Sequence, residues 1–260
     1  MSFFNVIQNY RAADIAAHLS SVTLEDVHCS LAKDRLTPYD LLNLLSDTAQ
    51  DALEAMAVKA GQITRQYFGR TIGIYAPLYI SDYCSNHCTY CGFNCNTQTR
   101  RLKLSIEQIE AEARVIAGMG IRHILILTGE APSITPISYL ESVVTLLKRY
   151  FSSIGIEIFP MDEDDYQTLK TAGVDALTVY QEVYDPAIYK TVHLKGRKTD
   201  YAYRLLTPER GARAGFRSVN IGPLFGLGEP ASEAFLAGLH ARYLEKMFPD
   251  VEISLSLPRM

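Results

Sequence analysis

The chain has 260 residues, 48% apolar and 21% charged, with a formal charge of −4. That is enough chain for one sizeable core, without the basic footprint of a nucleic-acid or anionic-membrane binder. Apolar runs such as Ile124–Leu127 are far too short to span a bilayer, and residues 1–14 lack the basic and apolar regions of a secretory signal.

Residues 1–70 read as an N-terminal helical extension. Thr37 is the expected N-cap and Pro38 the first residue of a long helix that ends at Gly69. Leu41, Leu44, Leu45, Ala49, Leu53, Met56, Ala57, Ala60 and Ile63 give that helix one apolar stripe for packing.

From residue 71 to 260, strand and helix patterns alternate. The first strand is expected in TIGIYAPLYI, residues 71–80, followed by a loop rich in cysteine. Ser105 and Gln108 have capping-box spacing at the start of the next helix, which ends near Gly118 and Gly120. HILILTGE, IEIFP, ALTVYQEV, SVNIGPL and VEISLSLPRM supply five further strands. Helices are expected at about 137–150, 162–173, 185–191, 200–214 and 232–247 between them. Continuous apolar strands alternating with helices predict a parallel sheet covered on both faces. Right-handed crossovers curl such a series into a TIM-type (βα) barrel with its functional loops at the strands' C-terminal ends. Polar and glycine-rich motifs do follow the strands, but six strands make only an incomplete barrel.

The loop YCSNHCTYCGFNC, residues 83–95, holds four of the five cysteines. Thiols crowded this closely favour metal or redox chemistry in a reducing cytoplasm over disulfides. Cys84, Cys88 and Cys91 can hold three corners of a cubane iron–sulfur cluster and leave the fourth iron open to a ligand. A zinc site would recruit Cys95 or His87 as a fourth ligand. A closed electron-transfer cluster would use Cys95. Cys29 reads as a core thiol.

The spacing Cys-x3-Cys-x2-Cys, with Tyr90 before the last cysteine, resembles the radical S-adenosylmethionine enzymes. In that superfamily the open iron chelates the cofactor's methionine end, and the cluster's electron releases a 5′-deoxyadenosyl radical. The stretches FGRTIGIYAPLYISDYCSNHCTYCGF, RHILILTGE, VYQEVYDPAIYKTVHLKGRKTDYAYRLLTPERGARAG and VNIGPLFGLGE resemble, more narrowly, the 2-iminoacetate synthase family of tyrosine lyases. That likeness implies cleavage of the Cα–Cβ bond of L-tyrosine to 2-iminoacetate and 4-methylphenol. It also implies a [4Fe–4S] cluster, S-adenosylmethionine, a flavodoxin or ferredoxin-type electron donor, and delivery of the imine to thiazole synthase. By the same likeness, Cys84, Cys88 and Cys91 ligate the cluster and Tyr90 lies beside the adenine. Thr128, Gly129 and Glu130 meet the cofactor's amino group, Gln181 and Glu182 its ribose, and Arg204 its carboxylate. Arg259, helped by Ser256, clamps the carboxylate of tyrosine. Family members continue through two further strand–helix units. The expectations therefore include a related aromatic amino-acid lyase and a truncated, catalytically incompetent cluster-binding protein.

Overall fold

The computed structural model describes residues 2–10 and 12–260. Its N-terminal part consists of helices, and residues 38–68, expected as one helix, do not form one. The chain instead makes a helix Pro38–Leu45, a 3-10 segment Asp47–Ala52 and a helix Leu53–Phe68. Ser46 causes the break: its backbone is extended, at φ −72° and ψ 159°, and its hydroxyl bonds back to the Asn43 carbonyl. A serine that satisfies its own turn in this way competes with the helix ladder. Leu42, on the first piece, is buried against the core, whereas the last piece buries none of its residues, with Leu53 and Ile63 exposed.

Thr37 caps the first piece in a reciprocal box with Asp40. Asp40 is 3% exposed, and its carboxylate accepts from Lys33 Nζ (2.6 Å), Thr37 N (2.8 Å), Thr37 Oγ1 (2.7 Å) and Ser30 Oγ (3.1 Å). Burial opposes that charge, but these donors overcome it and hold the carboxyl below the usual range.

Eight strands follow: β1 Ala76–Ser81, β2 His87–Cys88, β3 His123–Thr128, β4 Ser153–Glu157, β5 Ala176–Glu182, β6 His193–Lys195, β7 Ser218–Pro223 and β8 Glu252–Leu255. Six of them form one parallel sheet in the order β1-β3-β4-β5-β7-β8. This is the incomplete barrel that the alternating pattern predicts, with β1 and β8 as its edges among the described residues. Helices run between successive strands of this sheet, several of them started by side-chain caps. Ser105 makes a capping box with Gln108, and Asp185 and Glu229 cap helices that open with Pro186 and Pro230.

Register decides which side chains reach the barrel interior. Leu78, Ile126, Ile156, Leu177, Val219 and Ile253 align across the sheet and face the helices. The first five are 6% exposed or less, within the main core. One residue further along each strand, the side chains point to the other face. That inner row contains Tyr79, Leu127 and Glu157 on adjacent strands, then Thr178, Asn220 and Ser254. The polar interior is thus written by the same period that writes the apolar core.

Replacing Asp40 with Asn should lower stability by about 2 kcal/mol at neutral pH, because a charged acceptor of four bonds becomes a neutral acceptor of fewer. Urea unfolding of the two proteins reads this directly.

Candidate active site

The cysteine loop leaves β1 and folds back over the ends of β3 and β5. Ser85 donates twice to the Glu130 carbonyl, through N (2.8 Å) and Oγ (2.9 Å). Gly129 lets the loop lie flat on the strand: a Cβ there would collide with the Tyr83 carbonyl and reach 3.0 Å from Cys84 Cβ. On the far side, β2 pairs antiparallel with β6, and Thr89 N donates to Val192 O at 2.9 Å. The segment that carries β6 continues through Gly196 and Lys198 as a strap across the loop. Gly196, at φ +92°, packs so closely on Asn86 that no side chain would fit there.

Asn86 joins the three parts. Its Nδ2 donates to Glu130 Oε2 at 2.6 Å, and its Oδ1 accepts from Lys198 N at 3.1 Å. Glu182 closes the circuit at the end of β5, with Oε1 2.6 Å from Lys198 Nζ and 3.1 Å from Arg204 Nη2. Arg204 also donates through Nε to the Tyr180 carbonyl at 2.7 Å. Burial opposes the charge on Glu182, but the two cations outweigh it and hold the carboxyl below its ordinary range.

A cavity of about 250 Å³ opens among these groups. Cys84, Cys88, Cys91, Thr128, Gly129, Glu130, Glu182 and Arg204 line it together, so most of the residues singled out from sequence converge. Asn86, Glu157 and Lys198 line it too, and sequence patterning does not single them out. Tyr79 and Phe93 add aromatic walls, edge to face at 5.9 Å.

Four of the sequence candidates stand elsewhere. Tyr90 is not part of the lining, and its hydroxyl lies 2.8 Å from His193 Nε2. Because His193 Nδ1 faces the Tyr189 carbonyl at 2.9 Å, Nδ1 carries the proton and Nε2 accepts from Tyr90. Burial first, then Lys198, lowers the His193 pKa to about 4, so the ring stays neutral. Gln181 is buried outside the cavity, and neither amide atom bonds to any of the described residues. Ser256 exchanges hydrogen bonds with Asn220 at 2.8 and 3.2 Å. Arg259 is exposed at the end of the sheet, bridged through its backbone to Phe225.

The thiols suit a cluster better than a lone ion. All are free, and no three His, Cys, Asp or Glu side chains among the described residues converge on one metal position. A mononuclear zinc needs such convergence, whereas a cubane takes each thiolate on a separate iron. Burial first, then the neighbouring thiols Cys91 and Cys84, pushes Cys88 up to about 11, so metal must displace its proton. Cys95 does not line the cavity; its backbone N–H is tied to the Asn86 carbonyl at 2.8 Å. Thr128 Oγ1 is buried with no hydrogen-bond partner among the described residues, a polar atom available to a bound molecule.

Glu157 is the remaining carboxyl on the wall. Burial is the main cause that raises its pKa, to about 7, with Glu182 adding and Arg204 and Lys198 opposing. A larger, mostly apolar cavity of about 660 Å³ lies near the N-terminal helix Phe3–Ile7, but no cysteine lines it.

This combination of an open parallel barrel with three thiols at the strands' C-terminal ends defines a class. The chain belongs to the radical SAM superfamily, whose model matches residues 78–236. The superfamily's cofactors are a [4Fe–4S] cluster and S-adenosylmethionine, and the thiol set and cavity fit them. The chain is 38% identical to the 2-iminoacetate synthase of Salmonella typhimurium over 248 residues, 95% of this chain and 66% of that relative. A crystal structure of HydG, a maturase of the [FeFe]-hydrogenase, superposes with TM-score 0.88 at 29% identity, over 96% of this chain and 58% of the other. Methylornithine synthase superposes with TM-score 0.72 at 25% identity, over 90% of this chain and 68% of the other.

Two outcomes follow from this geometry. Cys88→Ala should abolish the iron–sulfur absorbance of the anaerobically reconstituted protein, and Cys95→Ala should leave it unchanged. For Glu157, a folded-state pKa near 7 lies above the ordinary 4.5, so the folded chain takes up a proton between those values and the ionised form weakens the fold. Without cofactors, Glu157→Gln should therefore stabilise the protein by about 1–2 kcal/mol at high pH. Thermal melts should show that gain shrinking as the pH falls through 7.

Proposed function

We propose that the chain is a radical S-adenosylmethionine lyase that breaks the Cα–Cβ bond of L-tyrosine. The products are 2-iminoacetate and 4-methylphenol, the imine being consumed in thiazole formation for thiamine. The observation that carries this reading is the single cavity in which Cys84, Cys88 and Cys91 meet Thr128, Gly129, Glu130 and Arg204. The 2-iminoacetate synthase relative gives it its direction. The chain spans 66% of that relative's length.

Cys84, Cys88 and Cys91 hold the cluster, and nothing in the cavity competes as a fourth cysteine. When bound, cluster and S-adenosylmethionine supply a carbon radical that abstracts hydrogen from the substrate. The protein's own groups do the placing. Glu130, aimed by Asn86, takes the cofactor's ammonium as a charge-assisted partner. Lys198 and Arg204 share one carboxylate, Glu182, which leaves one positive charge in excess for the cofactor's carboxylate. Glu182 and Gln181 stand at the end of β5, where the ribose would lie. Tyr90 braces the loop through His193, and its role beside the adenine rests on the family resemblance. Arg259, with Ser256 beside it on the same chain end, takes the substrate carboxylate in a bidentate grip. An electron donor of flavodoxin or ferredoxin type reduces the cluster, and thiazole synthase receives the imine.

The test is anaerobic reconstitution with iron and sulfide, followed by reductant, S-adenosylmethionine and tyrosine. Formation of 4-methylphenol together with 5′-deoxyadenosine is the expected outcome. Deoxyadenosine without the phenol would point to another substrate or to an uncoupled, leaky site. Neither product from a cluster-loaded protein would overturn the lyase reading.

A further inference from the structure

We propose that Glu157 receives the ammonium group of the amino-acid substrate, fixing one end of the molecule whose carboxylate is held elsewhere. This rests on the amino-acid lyase reading above and names a contact it leaves open. Three carboxylates line the cavity: Glu130, Glu157 and Glu182. Glu182 is committed to Lys198 and Arg204, and Glu130 to Asn86. Glu157 is bound by burial and distant charges alone, with no hydrogen bond to any described residue. With Glu130 assigned to the cofactor's ammonium and Glu182 paired with two cations, Glu157 is the carboxylate of this wall left without a partner among the described residues.

Its position suits that task. Glu157 is the last residue of β4 and lies in register with Leu127 on β3. Leu127, Ile158, Phe159, Tyr79 and Phe93 surround the same cavity, so a charge pair formed there is poorly screened by water. The cost of keeping the carboxyl is visible too. Burial raises its pKa to about 7 against the opposing pull of Arg204 and Lys198, which are paired with Glu182, so an ionised Glu157 has no cation bonded to it among the described residues. Groups that weaken a fold and stay in a cleft are what ligand recognition requires.

Equilibrium dialysis tests the assignment in the reconstituted chain, with cluster and S-adenosylmethionine present and reductant withheld, at about pH 8. The two ligands are L-tyrosine and 3-(4-hydroxyphenyl)propanoate, which differ by the amino group. The unmodified protein should favour tyrosine by about tenfold or more. Glu157→Gln should bind the two ligands within about twofold of each other, and Glu157→Asp should recover part of the preference. S-adenosylmethionine should bind all three proteins alike. A glutamine variant that keeps the preference overturns the proposal. So does one that loses S-adenosylmethionine binding while keeping the preference, which would place Glu157 on the cofactor. If the unmodified chain instead prefers a different α-amino acid over its deaminated form, and Glu157→Gln removes that preference, the ammonium contact stands and tyrosine falls.

Discussion

The site depends on one buried carboxylate shared by two cations. Glu182 ties β5 to the strap through Lys198 and to the following helix through Arg204, and the strap in turn carries Asn86 and the cysteine loop. An isolated ion at that depth would cost several kcal/mol. Neither cation nor anion can leave without stranding the others, so the loop, the strap and the strand ends are held as one unit. The backbone records the same constraint. Glu182 has φ 72°, in the left-handed region, where the β5–β7 register shifts. Such a conformation in a non-glycine residue persists only when its surroundings over-determine it. Here they do, since the Glu182 carbonyl also accepts from Leu224 N at 2.7 Å.

That locked end contrasts with the rest of the interior. Tyr79 on β1 is 54% exposed, and Tyr75, Leu255 and Leu257 near the two sheet edges are exposed as well. An edge strand offers unpaired backbone groups and, in an apolar setting, a surface ready to pair. A radical site needs the opposite: a dry enclosure in which the reactive carbon meets only its substrate. The cysteine end satisfies this with packed loops and a charge circuit. The wall between β1 and β8 does so only when something covers it.

Much of this was written plainly in the sequence. The Thr37 N-cap and the reciprocal box of Ser105 with Gln108 stand where the sequence put them, because capping is local chemistry, while the return bond from Asp40 to Thr37 shows only in the structure. Six strands fell out of apolar runs for the same reason. The break at Ser46 was hidden by an apolar stripe that continues through it, and only the extended backbone and the Asn43 bond reveal it. The β2–β6 pair was invisible because it is two and three residues long and joins segments about a hundred positions apart. Asn86 and Lys198 act through contacts no period encodes. Glu157 did leave a signal: a lone acid in the middle of Ile154–Phe159, an otherwise apolar run read only as a strand.

A charge count explains why that acid matters. Around the cavity, Lys198 and Arg204 oppose Glu130, Glu157 and Glu182. With Glu157 protonated, the protein's own charges there balance, two against two. With Glu157 ionised they do not, and the missing positive charge is one that a ligand must bring. The cofactor's ammonium and carboxylate would pair with Glu130 and the cations, and its third charge, the sulfonium, is the reacting centre that belongs beside the cluster, so none of the three is assigned to Glu157. An amino acid whose carboxylate is gripped at another strand end presents its ammonium separately. It can thus supply at β4 the charge that the fold withholds.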